Sequence, residues 1–269
     1  MKHNIILSLL LTAVMYISIV AGLNSSLTTA NSNNTRKPAP DLMTARALSR
    51  EPTVLKYGID VSKNQGEIDW ERVAKTRTEF VMMRAAVGAV NDAPISADSR
   101  FDEYIEGAQN AGLDVGVYFF SYAETISEIV EEAWFLVDLL KDYRITYTVV
   151  LDMEQQPSEY KDNPVRMAEA FLEIITDAGY FPMFYSYQWW LEHFITPEFY
   201  DKYAIWVAHY DVHATTYSGD YYMWQYTERG KVSGITDNNQ YDYEKFVDLN
   251  ISYRDFAGYI RKHGLNGLR

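Results

Sequence analysis

From Val54 onward, short apolar runs alternate with stretches in which apolar residues recur every three or four positions. Runs of four to eight apolar residues are typical of buried strands, whereas the three-to-four spacing is typical of amphipathic helices. This pattern predicts eight strands, at residues 57–61, 80–86, 115–121, 147–154, 181–186, 203–209, 221–226 and 246–249. It predicts five helices, at residues 70–75, 100–111, 127–143, 164–178 and 188–194.

The order of these elements predicts the fold class. Gly112 and Gly179 follow two of the helices, where a left-handed cap favours glycine, and Pro164 stands in a first helical turn. Strands that alternate with helices favour a parallel sheet with helical cover. Eight strands favour a closed α/β fold, an irregular TIM-like β/α barrel with fewer helices because the last third of the chain lacks them. A doubly wound open sheet is the alternative, and no glycine-rich phosphate fingerprint supports it.

The first 53 residues have a different character. Lys2 and His3 precede an apolar stretch at residues 5–23, and no Asp, Glu, Lys or Arg occurs between Lys2 and Arg36. This pattern predicts a signal peptide or an N-terminal membrane anchor over residues 1–23, and both leave the rest of the chain exported to the extracellular space or the cell envelope. Residues 24–53 are rich in Ser, Thr, Asn and Pro and predict a flexible linker. The barrel domain is then expected over residues 54–269.

Composition narrows the function classes. The chain of 269 residues is 48% hydrophobic and carries a formal net charge of −13, which argues against nucleic acid as a partner because phosphate binding needs a basic face. The absence of cysteine excludes disulfides, thiolate metal sites and cysteine catalysis. The five histidines show no zinc spacing. A thiolate or transition-metal site is therefore not expected. We expect no cofactor and no metal, and we expect a monomer.

Carboxylates at strand ends are the strongest candidates for chemistry. The strand at 147–154 ends in Asp152 and Glu154, which point to the same face because side chains alternate along a strand. Buried acids are costly in mid-strand, so the pair is expected at the barrel mouth, where barrel enzymes carry their active sites. Asp60 closes the first strand and Asp248 lies on the last, and these two strands are neighbours in a closed barrel.

Converging carboxylates suit glycoside hydrolysis. One acid stays protonated and donates to the leaving oxygen, while another stays ionised and supports the positive charge at the sugar carbon. Two other interpretations remain open: single acids at strand ends often cap helices or form turns, and clustered oxygens also bind calcium or magnesium.

Aromatic side chains complete the candidate site. The chain holds 22 Tyr, 12 Phe and 6 Trp, and aromatic rings with polar tips suit the flat faces of sugars. Most aromatics on strands belong to the core, but those near the C-terminal ends of strands are candidates for substrate binding. These candidates are Tyr118, Tyr185, Trp206, Tyr210 and Trp224.

Taken together, these segments resemble the glycoside hydrolase family 25 lysozymes from residue 57 to residue 267. The resemblance is carried by an ordered series of tracts: GIDVS at 58–62, QG at 65–66, IDW at 68–70, FVMMRA at 80–85, AGLDVGVY at 111–118, LDME at 151–154, PMFYS at 182–186, IWVAHY at 205–210, MWQY at 223–226, VDLN at 247–250 and GLNG at 264–267.

The resemblance implies an irregular β/α barrel that cleaves the β-1,4 bond between N-acetylmuramic acid and N-acetylglucosamine in peptidoglycan. It implies that Glu154 is the general acid and that Asp152 orients the substrate's N-acetyl group or stabilises the cationic intermediate. Asp60 and Asp248 match the supporting acids, and Tyr118 and Trp206 fall in strands that line the site.

The sequence departs from the family pattern in two places. Lys63 and Asn64 follow the first Asp-Val-Ser, where the family often has His or another aromatic-polar pair. The tract at 236–246 is longer than usual and adds Asp242, so both Asp242 and Asp248 remain candidates for the acid of the last strand.

Several functional alternatives stay open at this point. A non-catalytic barrel that binds wall glycans, or a hydrolase of another N-acetylated glycan such as chitin, would share these features. Direct displacement and attack by the substrate's own acetamido oxygen are both compatible with the acid pair. Wall remodelling, attack on competitors and phage lysis would all use such an exported enzyme.

Overall fold

Eight strands close into a barrel in the computed structural model, which describes residues 54–235 and 246–268. In chain order the strands are β1 (Lys56–Val61), β2 (Phe80–Val87), β3 (Ser96–Ala97), β4 (Asp114–Phe120), β5 (Val149–Asp152), β6 (Pro182–Tyr187), β7 (Ala204–Ala208), β8 (Met223–Gly230) and β9 (Val247–Ser252). The order around the barrel is β1-β2-β4-β5-β6-β7-β8-β9, and β9 pairs again with β1. The short β3 lies outside this ring, antiparallel to β2. The predicted barrel is therefore confirmed.

The last strand departs from the parallel sheet that the alternation of elements predicts. Within the eight-stranded ring, neighbouring strands from β1 to β8 run parallel, whereas β9 runs antiparallel to both β8 and β1. Gly230 at the end of β8 pairs with Val247 at the start of β9, so the chain re-enters the barrel at the end where it left. The first residues of β9 therefore lie beside the last residues of β1, and Asp248 faces Asp60 across the strand pair.

Seven α-helices are present in the described part of the chain: α1 (Trp70–Ala74), α2 (Phe101–Asn110), α3 (Ile126–Leu140), α4 (Pro164–Asp177), α5 (Gln188–Phe194), α6 (Pro197–Tyr200) and α7 (Phe256–His263). Side-chain caps fix several helix starts. Asn163 accepts the backbone N–H groups of Val165 and Arg166 before α4, and Thr125 forms a capping box with Glu128 before α3. The five predicted helices are confirmed, and α6 and α7 were missed.

One end of the barrel interior is filled by apolar side chains. Phe80 stacks on Tyr147 with ring centroids 4.6 Å apart, and Tyr147 meets Phe256 of α7 edge-on. Ala257 and Ile260 of α7 belong to the same buried cluster, so this helix covers the end at which the parallel strands begin. Packing is close: a Cβ added at Gly58 would lie 2.3 Å from the Phe80 ring. The open end is left for polar side chains.

The outward faces of the strands pack against the helices in a second and larger cluster, which includes Val81, Val117 and Leu151 of the strands and Leu136 and Phe171 of the helices. In residues 54–235 and 246–268, no helix combines the length and apolar character needed to cross a membrane. The predictions for residues 1–23 and 24–53, and the candidate Asp242, lie outside the described residues.

Candidate active site

A cavity of about 260 Å³ opens where the parallel strands end. Its lining holds five carboxyl side chains: Asp60, Asp152, Glu154, Glu228 and Asp248. The structure thus brings together all four of the predicted catalytic acids, from β1, the end of β5 and the start of β9. Of the two candidates for the last-strand acid, Asp248 lies in this cavity.

Asp60 is held on one oxygen by two amide side chains. Its Oδ2 accepts hydrogen bonds from Gln225 Nε2 at 2.9 Å and from Asn250 Nδ2 at 2.7 Å. Asp60 is only 6% exposed. Burial raises the pKa of Asp60, and the hydrogen bonds from the two amides act in the opposite direction because they favour the ionised form.

Asp248 faces Asp60 from the neighbouring strand. The two residues are register partners in the antiparallel β1–β9 pair, and their carboxyl groups are hydrogen-bonded to each other. Burial, followed by the negative charge of Asp60, raises the pKa of Asp248 to about 9. A hydrogen bond between two carboxyl groups needs a proton on one of them.

Asp152 and Glu154 lie at and beyond the end of β5. Asp152 is buried, and its Oδ1 has no hydrogen-bond partner among the described residues. Burial, and then the charge of Glu154, raise the pKa of Asp152 well above its ordinary value. Glu154 is half-buried in the cavity wall. The pair therefore retains a proton at pH values where isolated carboxyl groups would be ionised.

Two tyrosines of β6 hold Glu154. The hydroxyl groups of Tyr185 and Tyr187 are within hydrogen-bonding reach of its carboxyl group, and both lower the pKa of Glu154 against the larger raising effect of burial. The Tyr185 hydroxyl also donates a 2.7 Å hydrogen bond to Gln225 Oε1, and the Tyr210 hydroxyl donates a 2.6 Å hydrogen bond to the same oxygen. Gln225 therefore connects the tyrosines to Asp60.

Arg84 is the one basic side chain among the described residues that line the cavity. Its Nε and Nη2 both contact Oδ2 of Asp98, at 2.8 and 2.7 Å, and the Asp98 side chain is 1% exposed. Asp98 thus fixes the guanidinium beside the acids, where its charge opposes the rise in the pKa of Asp152.

Four of the five predicted aromatics line the cavity, namely Tyr118, Tyr185, Trp206 and Tyr210. Trp224 does not. Along β8, Met223 belongs to the inner cluster and Gln225 lines the cavity, so Trp224 between them points outward. Its indole donates to the His209 carbonyl at 2.9 Å in the outer layer. The strand alternation that groups Asp152 with Glu154 therefore separates Trp224 from the site.

Sequence reasoning missed several polar side chains of the cavity and its hydrogen-bond network, among them Arg84, Gln225, Asn250, Tyr187 and Glu228. Asn250 follows Asp248 by two positions on β9, and Tyr187 follows Tyr185 by two positions on β6. The same alternation would therefore have indicated both residues. Among the described residues, no group of three or more His, Cys, Asp or Glu side chains is arranged to hold a metal ion.

Comparison with known proteins agrees with this geometry. The family model described as Glycosyl hydrolases family 25 matches residues 59–235. The autolytic lysozyme of Clostridium acetobutylicum is 24% identical over 185 residues, which are 69% of this chain and 54% of that protein. This chain therefore spans about half the length of that relative.

Solved structures show the same fold. A family 25 glycosyl hydrolase from Bacillus anthracis superposes with a TM-score of 0.61 at 25% identity, covering 77% of this chain and 94% of that one. A bacterial lysozyme from Streptomyces coelicolor superposes with a TM-score of 0.62 at 24% identity, covering 81% of this chain and 100% of that one.

Proposed function

Because this chain belongs to glycosyl hydrolases family 25, we propose that it is a lysozyme that hydrolyses the β-1,4 bond between N-acetylmuramic acid and N-acetylglucosamine in bacterial peptidoglycan. One observation carries the proposal: Asp60, Asp152, Glu154 and Asp248 converge from distant parts of the chain on one cavity. Binding alone does not require buried carboxyl groups that repel one another, whereas glycoside hydrolysis uses an acid that keeps its proton.

Glu154 is the proton donor in this proposal. It is half-buried and faces the cavity, so a sugar oxygen can reach it, whereas Asp60 and Asp152 are each 6% exposed. Burial raises the pKa of Glu154, which favours the protonated form that a general acid needs. Tyr187 has the opposite role, because a hydrogen bond from its hydroxyl stabilises the carboxylate that remains after proton transfer.

Asp152 acts on the substrate's acetamido group. Its side chain lines the cavity beside Glu154. A carboxyl oxygen there can accept the acetamido N–H beside the sugar carbon that becomes cationic. Tyr118 and Trp206 provide aromatic surface in the cavity.

The substrate places the site of action outside the cytoplasm, on the cell wall. Export through the apolar N-terminal segment, as a cleaved signal or a retained anchor, and action as a monomer belong to the same proposal. No cofactor or metal takes part in it.

The test uses the full chain with purified peptidoglycan. We expect release of reducing ends, and products whose masses identify N-acetylmuramic acid as the new reducing sugar. Glu154→Gln should lower the rate by about 10² or more, in line with the contribution of a positioned general acid. Glu106→Gln, an exposed acid on α2 outside the cavity, is the matched control and should keep full activity.

The outcomes separate the alternatives. Cleavage of chitin oligomers without cleavage of peptidoglycan would assign a different N-acetylated glycan. Binding to peptidoglycan without release of reducing ends would indicate a wall-binding barrel. Full activity of the folded Glu154→Gln variant would remove Glu154 from the role of acid.

A further inference from the structure

The contact between Asp60 and Asp248 is built into the pairing of two strands. The two residues are partners in the antiparallel register of β1 and β9, so their side chains leave the sheet on the same face. Both side chains line the cavity, and their carboxyl groups are in hydrogen-bond contact. Two ionised carboxylates directly opposite each other would repel, and neither would have a proton to donate.

The surrounding hydrogen bonds determine which acid is ionised. Oδ2 of Asp60 accepts a hydrogen bond from Nδ2 of Asn250. The Asn250 amide is held in this orientation because its Oδ1 accepts a 2.9 Å hydrogen bond from the indole N–H of Trp206. Oδ2 of Asp60 also accepts a hydrogen bond from Nε2 of Gln225. The Gln225 amide is oriented in turn because its Oε1 accepts hydrogen bonds from the hydroxyl groups of Tyr185 and Tyr210. Two oriented donors on one oxygen favour the ionised form of Asp60.

We propose that Asp248 keeps a proton and donates it to Asp60, so that the pair carries one negative charge and Asp248 serves as a positioning residue. The neutral Asp248 then adds a third hydrogen bond to the Asp60 carboxylate, whose Oδ2 the two amides already hold. These three donors together fix the orientation of the Asp60 carboxylate at the cavity wall. The consequence for catalysis rests on the proposed glycosidase function, whereas the location of the proton does not.

The other groups that face Asp248 agree with a neutral side chain. Asp60 of β1, Glu228 of β8 and Glu154 beyond β5 are all acids, and each raises its pKa. Tyr118 of β4 and Tyr210 after β7 lie close enough for the charge of Asp248 to act on them, and neither supplies a positive charge. A second negative charge at Asp248 would therefore meet acids on three sides.

Three variants test the proposal through activity. In Asp248→Asn, the amide N–H replaces the carboxyl proton, so this variant should keep a kcat/KM about tenfold above that of Asp248→Ala, a difference of about one hydrogen bond. Asp248→Ala removes the donor and should lower kcat/KM by about tenfold or more. Asp60→Asn moves the negative charge from Asp60 to Asp248 and should also lower kcat/KM by at least about tenfold.

A direct measurement follows the proton in the wild-type full chain. The side-chain carboxyl carbons of aspartate are observed by NMR as the pH is raised, and the Asp248→Asn spectrum identifies the Asp248 signal. We expect Asp248 to remain protonated at pH 7 and to titrate on the alkaline side. Completion of both titrations below pH 7 would overturn the proposal, as would equal loss of activity in the Asp248→Asn and Asp248→Ala variants. A protein that shows the alkaline titration but does not cleave peptidoglycan would refute the proposed function alone.

Discussion

The indole Nε1 of Trp206 donates a 2.9 Å hydrogen bond to Oδ1 of Asn250 inside the barrel. Both residues are buried, and the same Asn250 amide donates to Asp60. The tryptophan therefore acts on the acid cluster through the asparagine. Its ring also packs against Tyr185, with centroids 4.6 Å apart.

Trp206→Phe should weaken both stability and activity. The change leaves Asn250 Oδ1 buried without its donor, which costs about 1–3 kcal/mol of the free energy of unfolding. It also lets the Asn250 amide reorient, so kcat/KM on peptidoglycan should fall by about tenfold, a loss of about 1.4 kcal/mol. Urea unfolding and initial rates of reducing-end release measure the two effects.

Trp224→Phe is the matched control for this prediction. It also loses an indole hydrogen bond, to the His209 carbonyl, but in the outer layer of the barrel. It should therefore lower stability with little change in kcat/KM. Equal loss of kcat/KM in the two variants would argue that the Trp206–Asn250 contact has no particular role at the acids.

Removal of the Tyr187 hydroxyl should shift the pH profile. Its hydrogen bond favours ionised Glu154 and so lowers the pKa of that residue. A general acid works only while protonated, so kcat/KM falls as pH rises through its pKa. In Tyr187→Phe that alkaline fall should move to higher pH. Tyr143→Phe, which loses a contact with Asp102 elsewhere on the surface, should leave the profile in place. An unchanged or acid-shifted limb in Tyr187→Phe would contradict the assignment.

The sequence was sufficient to predict much of the barrel because the barrel rests on local patterns. The run VVLD of β5 and Pro164 in the first turn of α4 both act within a few residues, and both were recognised in the sequence. The four acids followed from their positions at or near strand termini. The direction of β9 could not be predicted in this way, because it depends on where the chain re-enters the barrel and not on the residue pattern of β9 itself.

The polar network of the site was harder to predict. Gln225 and Asn250 matter because each donates to Asp60, from which they are separated by 165 and 190 residues. An amide in a strand carries no signal of such a distant partner. Trp224 was misplaced because nearness to a strand end was considered without the face on which the side chain lies.

A methyl group at Gly58 should disturb the barrel below the acids. The added Cβ would lie 2.3 Å from the Phe80 ring, which is itself stacked on Tyr147. Gly58→Ala should therefore destabilise the protein by about 1–3 kcal/mol through overpacking. Adding Phe80→Leu should restore part of this loss, which a double-mutant cycle from urea unfolding detects. Strictly additive effects of the two changes would show that the clash is relieved elsewhere.

Buried Glu132 should make stability fall as the pH rises. This glutamate of α3 is 2% exposed, it accepts hydrogen bonds from the Ser121 hydroxyl at 2.5 Å and the Tyr122 amide at 3.3 Å, and burial raises its pKa to about 7. Because the folded protein binds this proton more tightly than the unfolded chain, its stabilisation is complete below the unfolded pKa of 4.5 and is lost as pH rises through about 7. The difference between these two pKa values corresponds to roughly 3 kcal/mol of the free energy of unfolding.

Glu132→Gln should remove this dependence. Its amide can donate to Ser121 and its carbonyl oxygen can accept from Tyr122, so the contacts are kept without a titrating group. The free energy of unfolding of the variant, relative to wild type, should therefore rise by roughly 3 kcal/mol between pH 4 and pH 8. Glu131→Gln, the exposed neighbour on the same helix, should show no such rise. A constant difference between Glu132→Gln and wild type across this range would mean that Glu132 stays ionised in the folded protein.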